Sequence, residues 1–186
     1  MDVRAVVLVE GISDQAALLH LAARQGRELE AEGVAVLPIG GAQAIGKFVE
    51  RYGPRGEALT LAGLCDAAEE RHFRRALERG GLGSDLDRAA MERLGFYVCE
   101  ADLEDELIRA LGGRAVEDVL EEQGDLGSFR TFQQQPAWRG RGVEAQLRRY
   151  MHSADRRNTR YPPLLLDALA SDRVPRPLAR VLAHVA

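Results

Sequence analysis

Short apolar runs alternate with amphipathic stretches over roughly the first 112 residues. Four runs have the length of strands, and we place them at about residues 5–10, 33–39, 59–65 and 96–99. Helices are predicted after them, at about residues 13–25, 42–52, 67–79 and 103–112. Uninterrupted apolar runs are typical of strands covered on both faces. The alternation therefore predicts an α/β fold with a mostly parallel four-stranded sheet flanked by helices.

The strand signal ends after residue 113. Helical patterns follow near residues 114–123, 141–153, 160–171 and 176–185, and residues 124–142 are predicted to form a loop. We therefore expect two domains, an α/β domain over residues 1–113 and a helical C-terminal extension over residues 114–186.

Carboxylates follow three of the four predicted strands. Glu10 ends the first strand, Asp66 follows the third, and Asp102 and Glu104 follow the fourth. Asp14 lies one helical turn beyond Glu10. The carboxyl ends of parallel strands share one edge of a sheet, and several carboxylates gathered there suit Mg²⁺. The alternative is that Asp14, Asp66 and Asp102 only cap helices.

These residues carry a family resemblance. Val9-Glu10-Gly11 at the end of the first strand, with Asp66 at the end of the third, resembles the Toprim domain of topoisomerases, bacterial primases, recombination mediators and OLD-family nucleases. The run from Glu10 to Asp14 most resembles the OLD nuclease form, as does the acidic segment Asp102–Leu107. The resemblance covers about residues 4–112 and implies a Rossmann-like Toprim sheet.

The sequence departs from the family pattern after the third strand. Toprim domains usually carry Asp-x-Asp there, whereas this chain has Asp66-Ala67-Ala68-Glu69. Glu69, one position further on, is the candidate substitute for the missing second aspartate. OLD proteins also usually carry an ATPase domain before the Toprim part, and none precedes it in this sequence.

The resemblance implies a divalent-metal-dependent nuclease or related phosphodiester-processing enzyme that uses Mg²⁺ or Mn²⁺. It makes Glu10 a ligand or an acid–base group. The other metal ligands it implies are Asp14, Asp66, Glu69, Asp102 and Glu104. OLD nucleases are also expected to use a basic residue near the metal. Because no lysine follows Lys47, this catalytic role falls to an arginine, for which the candidates are Arg156, Arg157 and Arg160.

Charge is unevenly distributed along the chain. Residues 1–138 carry 15 basic and 25 acidic side chains, whereas residues 139–186 carry 10 and 4. An acidic metal edge repels phosphates, so an enzyme acting on nucleic acid needs a basic counterpart. The arginine-rich tail therefore predicts nucleic acid as the partner, with DNA as the first expectation. The alternative is a solvated helical surface.

A non-catalytic function is the main alternative to a nuclease. The missing aspartate and the missing ATPase segment favour a Toprim-like module that binds nucleic acid or a partner within a repair or defence assembly. A separate ATPase or another protein is then the expected partner. The sequence has no run of transmembrane length and no signal-peptide pattern, so we expect a cytoplasmic protein without a membrane contact.

Three further features complete the predictions. Cys65 and Cys99 each end an apolar run and are expected to be buried, reduced thiols. Gly41–Lys47 has phosphate-loop spacing, but Phe48 follows it in place of the metal-binding hydroxyl, so nucleotide hydrolysis is not expected. Trp138 is either an anchor of its loop or a platform on which a base stacks. The four histidines are scattered, and none pairs with a cysteine at zinc-ligand spacing.

Overall fold

The computed structural model describes residues 2–186, and for Asp155 its backbone only. These residues form two compact units. The first comprises the chain up to Asp102 together with Arg176–Ala186, and the second comprises Leu103–Pro175.

One four-stranded parallel sheet forms the centre of the first unit. Its strands are β1 (Ala5–Val9), β2 (Val34–Pro38), β3 (Thr60–Asp66) and β4 (Phe96–Cys99). They lie in the order β2-β1-β3-β4, with Ala5 of β1 opposite Val34 on one side and Thr60 on the other. Every residue of β1 is buried, as expected for a central strand covered on both faces. The predicted α/β class and parallel sheet are confirmed.

Helices cover both faces of this sheet. The helices of the first unit are α1 (Ile12–Arg24), α2 (Ile45–Tyr52), α3 (Glu70–Arg79), α4 (Arg88–Arg93) and α10 (Arg176–His184). Val6 and Leu8 of β1 share a core with Phe73 of α3. Helix α1 packs against β1 and β2, and α10 packs against β3 and β4.

The observed units differ from the two domains predicted on either side of residue 113, because helix α10 belongs to the first unit. Its apolar face is buried against the sheet and its last carbonyls are held by two arginines of the first unit. Arg27 donates to the carbonyl of Leu182 at 2.7 Å, and Arg4 donates to that of Val185 at 2.7 Å. The C-terminal helix is therefore part of the α/β unit, because an uncovered sheet face would expose apolar side chains.

The second unit contains helices and no strand among its described residues. Its helices are α5 (Leu103–Leu111), α6 (Gly113–Glu122), α7 (Leu126–Gln133), α8 (Val143–Met151) and α9 (Asp155–Ala168). Helix α5 packs against α6, α8 and α9, which explains why this unit begins at Leu103 rather than at residue 114. The side chains of Tyr150 and Tyr161 are fully buried in its core.

Three helices differ from the prediction. Helix α4 is short, and no element is predicted at its position. Helix α7 lies in the predicted loop 124–142, where buried Phe129 and Phe132 supply its apolar face. Helix α9 begins at residue 155 rather than 160 and contains Pro162 within it. Tertiary packing overrides weak local helix propensity in such segments.

The two cysteines, Cys65 and Cys99, are both buried thiols, as predicted. Within residues 2–186, every helix is too short or too polar to cross a bilayer.

Candidate metal centre

Glu10 lies where β1 gives way to α1 in the first unit. Gly11 is the N-cap residue of α1, so the chain turns immediately after the glutamate. The Oε1 atom of Glu10 accepts a hydrogen bond from the backbone N–H of Asp66 at 2.8 Å. This bond joins the carboxyl ends of β1 and β3 and fixes the Glu10 carboxylate at that edge, as the strand order predicts.

Asp14 also lies at this edge, in the first turn of α1. Its Oδ2 atom accepts a hydrogen bond from the backbone N–H of Gly11 at 2.9 Å. The capping role that we considered as an alternative is therefore real for Asp14. A cap does not exclude metal binding, because a carboxylate has about four lone-pair sites.

Burial, together with the charges of nearby carboxylates, raises the pKa values of Glu10 and Asp14. Burial is the largest cause of the raised pKa of Glu10; the Asp66 N–H opposes it, and the charges of Asp14 and Glu69 add to it. Burial likewise raises the pKa of Asp14 to about 6, the Gly11 N–H opposes the rise, and the charge of Asp102 adds to it. Glu10, Asp14, Glu69 and Asp102 therefore interact electrostatically within one unit.

Asp66 and Glu69 occupy the turn between β3 and α3. The backbone N–H of Glu69 donates to the carbonyl of Asp66 at 3.0 Å, which brings the glutamate back toward the strand end. The Glu69 carboxylate also lies 3.6 Å from Nε2 of His72. The family pattern has its second aspartate at the position of Ala68. Glu69 thus acts electrostatically on Glu10 from the next position along the chain.

Glu104 belongs to α5, in the second unit. It is only 3% exposed, and its Oε2 atom lies 3.6 Å from Nε2 of His152. His152 is not among the predicted site residues, because it follows α8 and is 48 positions away from Glu104 in the chain. No local spacing signals this pairing, which depends on the packing of α5 against α8.

The three arginines proposed for catalysis differ in their surroundings within the second unit. Arg156 is exposed. Arg157 lies over the ring of Tyr150, with its guanidinium carbon 3.9 Å from the ring centroid. Arg160 donates to Gln123 at 2.6 Å and lies 3.4 Å from Asp125. The three arginines are therefore not equivalent as candidates for contacts with phosphate.

The donor set of the sheet edge fits a hard divalent cation. Five predicted ligands lie in the first unit and offer only carboxylate oxygens: Glu10, Asp14, Asp66, Glu69 and Asp102. Mg²⁺ and Mn²⁺ prefer such ligands. Mutually repelling, partly buried carboxylates are also costly without a compensating charge, so a bound cation would stabilise this arrangement.

Part of the chain resembles a known protein family. Residues 3–54 match the profile of the OLD-like TOPRIM family, described as the Overcoming lysogenization defect protein-like TOPRIM domain. This segment includes β1, Glu10, Asp14 and β2. The chain matches no curated protein sequence.

Solved structures extend the likeness to nearly the whole chain. The C-terminal region of the Xanthomonas campestris pv. campestris OLD protein, phased with mercury, is 24% identical with a TM-score of 0.72, and the match covers 98% of this chain and 94% of that one. The C-terminal region of the Burkholderia pseudomallei OLD protein is 18% identical with a TM-score of 0.74, covering 100% and 98%. Residues 3–54 thus match the OLD-like TOPRIM family model, and the chain as a whole shares the α/β fold of the C-terminal regions of these OLD proteins.

Proposed function

We propose that this protein is a nuclease that hydrolyses phosphodiester bonds, first of all in DNA, with Mg²⁺ or Mn²⁺. OLD-type Toprim domains are generally metal-dependent nucleic-acid-processing domains. The observation that carries the proposal is the edge where Glu10, Asp14 and Asp102 meet with raised pKa values at the first two. Perturbed carboxylates gathered at strand ends are typical of a functional site rather than of a helix cap alone.

Each carboxylate has a distinct role in the proposed site. Glu10 is fixed by the Asp66 N–H and serves as a ligand or as an acid–base group. Asp14 combines capping of α1 with metal binding, and the remaining ligands in the first unit are Asp66, Glu69 and Asp102. A divalent cation held by these oxygens would stabilise the charge that develops on a phosphodiester and lower the pKa of water.

Two earlier predictions remain part of the proposal. Glu104 remains a predicted ligand, and within its own unit its carboxylate lies 3.6 Å from Nε2 of His152. Arg156, Arg157 and Arg160 are the candidates for stabilising negative charge on the phosphate, since guanidinium groups bind phosphate oxygens in pairs. Arginine rarely gives up its proton, so these residues act electrostatically rather than as acids.

Cleavage of defined substrates tests this function. Single-stranded and double-stranded DNA and RNA are incubated with the protein and Mg²⁺ or Mn²⁺, and products are resolved on denaturing gels. We expect cleavage that EDTA stops and that Glu10→Gln abolishes. Glu30→Gln, which changes an exposed carboxylate of the same unit, is the matched control and keeps the activity.

A non-catalytic binding module is the second candidate, and Ala68 favours it. The position lacks the second carboxylate of the Asp-x-Asp pattern, which weakens one metal site. This candidate predicts binding of nucleic acid or of a protein partner with no cleavage under any metal condition. Activity that Glu10→Gln leaves intact would instead belong to a contaminant or to another site.

A further inference from the structure

The second unit contains a pocket of about 420 Å³ beside α7 and α8. Aromatic, basic and hydroxyl side chains meet in its wall. They include Trp138, Tyr150, Arg149, Arg157, Ser128 and Ser153. All of them belong to the same compact unit, and none is a predicted ligand of the metal centre.

Arg157 is a fixed cation in this pocket. Its Nη1 donates to Oγ of Ser153 at 2.7 Å, and its Nη2 donates to Oγ of Ser128 at 3.4 Å. Its guanidinium also lies over the ring of Tyr150. Hydroxyls and an aromatic ring thus position Arg157, and among the described residues no carboxylate neutralises it.

Other arginines of the chain show the usual arrangement. Arg130 bonds Glu117 at 2.8 Å, and Arg176 bonds Glu92 at 2.7 Å. An arginine that is held in place while its charge stays available is suited to bind an external anion, because little side-chain freedom is then lost on binding.

The lining of the pocket agrees with an anionic ligand. Among the described residues, its lining contains two arginines, Arg149 and Arg157, and no acidic side chain. Another pocket of the same unit has Glu117, Asp118 and Glu121 in its lining. Acidic side chains are therefore missing from the described lining of this pocket but not from the unit as a whole.

Trp138 adds a flat apolar surface beside the cations. It is half-buried and stacks on Phe132 with 5.5 Å between ring centroids. The guanidinium of exposed Arg141 lies 5.1 Å from the centroid of the Trp138 ring. Aromatic rings and guanidinium planes next to a phosphate-binding cation are the elements with which proteins hold unpaired nucleotides.

We propose that this pocket binds one unpaired nucleotide of a single-stranded nucleic acid, with its phosphate at Arg157 and Arg149 and its base beside Trp138. The inference rests on the proposed function for the class of ligand and narrows it to single strands. A duplex keeps its bases stacked inside the helix, so it offers phosphates to the pocket but no base.

The chain carries a built-in probe of this pocket, because Trp138 is its only tryptophan. Tryptophan fluorescence is followed while oligothymidylate of about 12 nucleotides is added to the whole protein in EDTA, which prevents cleavage. We expect saturable quenching by the single strand. The same strand annealed to oligoadenylate should bind more weakly and quench less.

Two arginines of the same unit provide a matched pair of variants. Arg157→Ala should weaken binding about tenfold, because it removes charge-assisted bonds to the phosphate. Arg173→Ala removes the same charge from an exposed position of this unit and should change affinity by less than about threefold. Circular dichroism establishes that both variants are folded. If Arg157→Ala unfolds, Arg149→Ala replaces it, with the same expected loss of binding.

Several outcomes would overturn the pocket assignment. They are unchanged fluorescence at saturating single strand, equal losses in the two variants, and duplex binding as tight as single-strand binding. Equal quenching by polyglutamate would indicate an acidic protein partner instead. Binding is measured in EDTA, and cleavage is measured separately with Mg²⁺ or Mn²⁺. Quenching in the first assay without cleavage in the second would contradict only the proposed function. Cleavage without quenching would contradict only the pocket assignment.

Discussion

Asp14 combines two opposing effects in one side chain. Its carboxylate stabilises the start of α1 by accepting the Gly11 N–H, and its charge is costly because the group is desolvated beside Asp102. The cost is visible in a pKa of about 6 instead of the ordinary 3.8. A residue at this N3 position needs only an acceptor oxygen to bond the N-cap N–H, and the neutral side chain of asparagine also offers one.

Replacing Asp14 by asparagine should therefore stabilise the metal-free protein at neutral pH. Because the folded-state pKa is raised, the folded protein loses stability relative to the unfolded chain as pH rises from about 4 to about 6. Above that window we expect Asp14→Asn to be more stable by about 1–2 kcal/mol, because it keeps the acceptor for Gly11 and removes the charge.

Urea denaturation in EDTA near pH 4 and near pH 7.5 measures this difference. The advantage of the variant should shrink toward zero at the lower pH. An asparagine variant that is less stable than wild type at the higher pH would show that the charge itself stabilises the fold.

A substitution at Ala68 should strengthen metal binding. Ala68→Asp restores the Asp-x-Asp pattern after β3, and added ligand charge tightens sites for hard cations. We expect Mn²⁺ affinity to rise by about tenfold. In the restored background Glu69→Gln should be tolerated, whereas in the natural sequence it should weaken Mn²⁺ binding. Equal effects of Glu69→Gln in both backgrounds would mean that Glu69 does not replace the missing aspartate.

At the level of elements, the strands were predictable and several helices were not. Residues of a central parallel strand are buried on both faces, so β1 and β3 are continuous apolar runs in the sequence. Helix α4 is only six residues long, and α7 has Gly127 and Ser128 in its first turn, so neither has a strong helical pattern. The return of α10 to the sheet has no local signal, because it depends on contacts between distant segments.

Gly63 tests the packing of the sheet. A Cβ at this position would lie 2.6 Å from Cδ1 of Phe96 and 3.0 Å from the carbonyl oxygen of Leu8. Phe96 is fully buried and cannot move aside. Gly63→Ala should therefore lower the free energy of unfolding by about 1–3 kcal/mol through overpacking.

Gly46→Ala is the control for that substitution in thermal and denaturant unfolding. The added Cβ would meet only the end of the Arg79 side chain, at 3.6 Å, and position 46 is inside α2. Alanine should increase stability there by up to about 1 kcal/mol, because it favours the helix. Equal stability of Gly63→Ala and wild type would contradict the described contact between β3 and Phe96.

At the scale of the whole molecule, the candidate site could be predicted only in part. Glu10 and Asp66 were predictable because a parallel sheet places the ends of its strands at one edge. The Glu104–His152 pair and the fixed position of Arg157 were not, because helix packing rather than sequence spacing creates them. The uneven charge of the chain was visible in the sequence. The sequence does not show which arginines already make hydrogen bonds or ion pairs within the protein.

Binding of nucleic acid should depend steeply on salt. Each phosphate neutralised contributes a log–log slope of about −0.9 on duplex and about −0.7 on a single strand. Changing Arg156 and Arg157 together to alanine should flatten the slope by roughly one to two units. Arg173→Ala, an exposed control in the same unit, should leave it unchanged. A double variant that keeps the wild-type slope would assign these arginines to structure or to a protein partner.

The central claim is that the carboxyl edge of the sheet binds a divalent cation, and calorimetric titration with Mn²⁺ near pH 7 tests it most directly. We predict saturable binding that Glu10→Gln weakens strongly and Glu30→Gln does not. In a second titration near pH 6 the heat should depend on the buffer, because the cation then displaces protons from carboxyls with raised pKa values, such as Asp14 at about 6. No saturable heat, or equal binding by Glu10→Gln and wild type, would contradict the assignment of this edge as a metal centre.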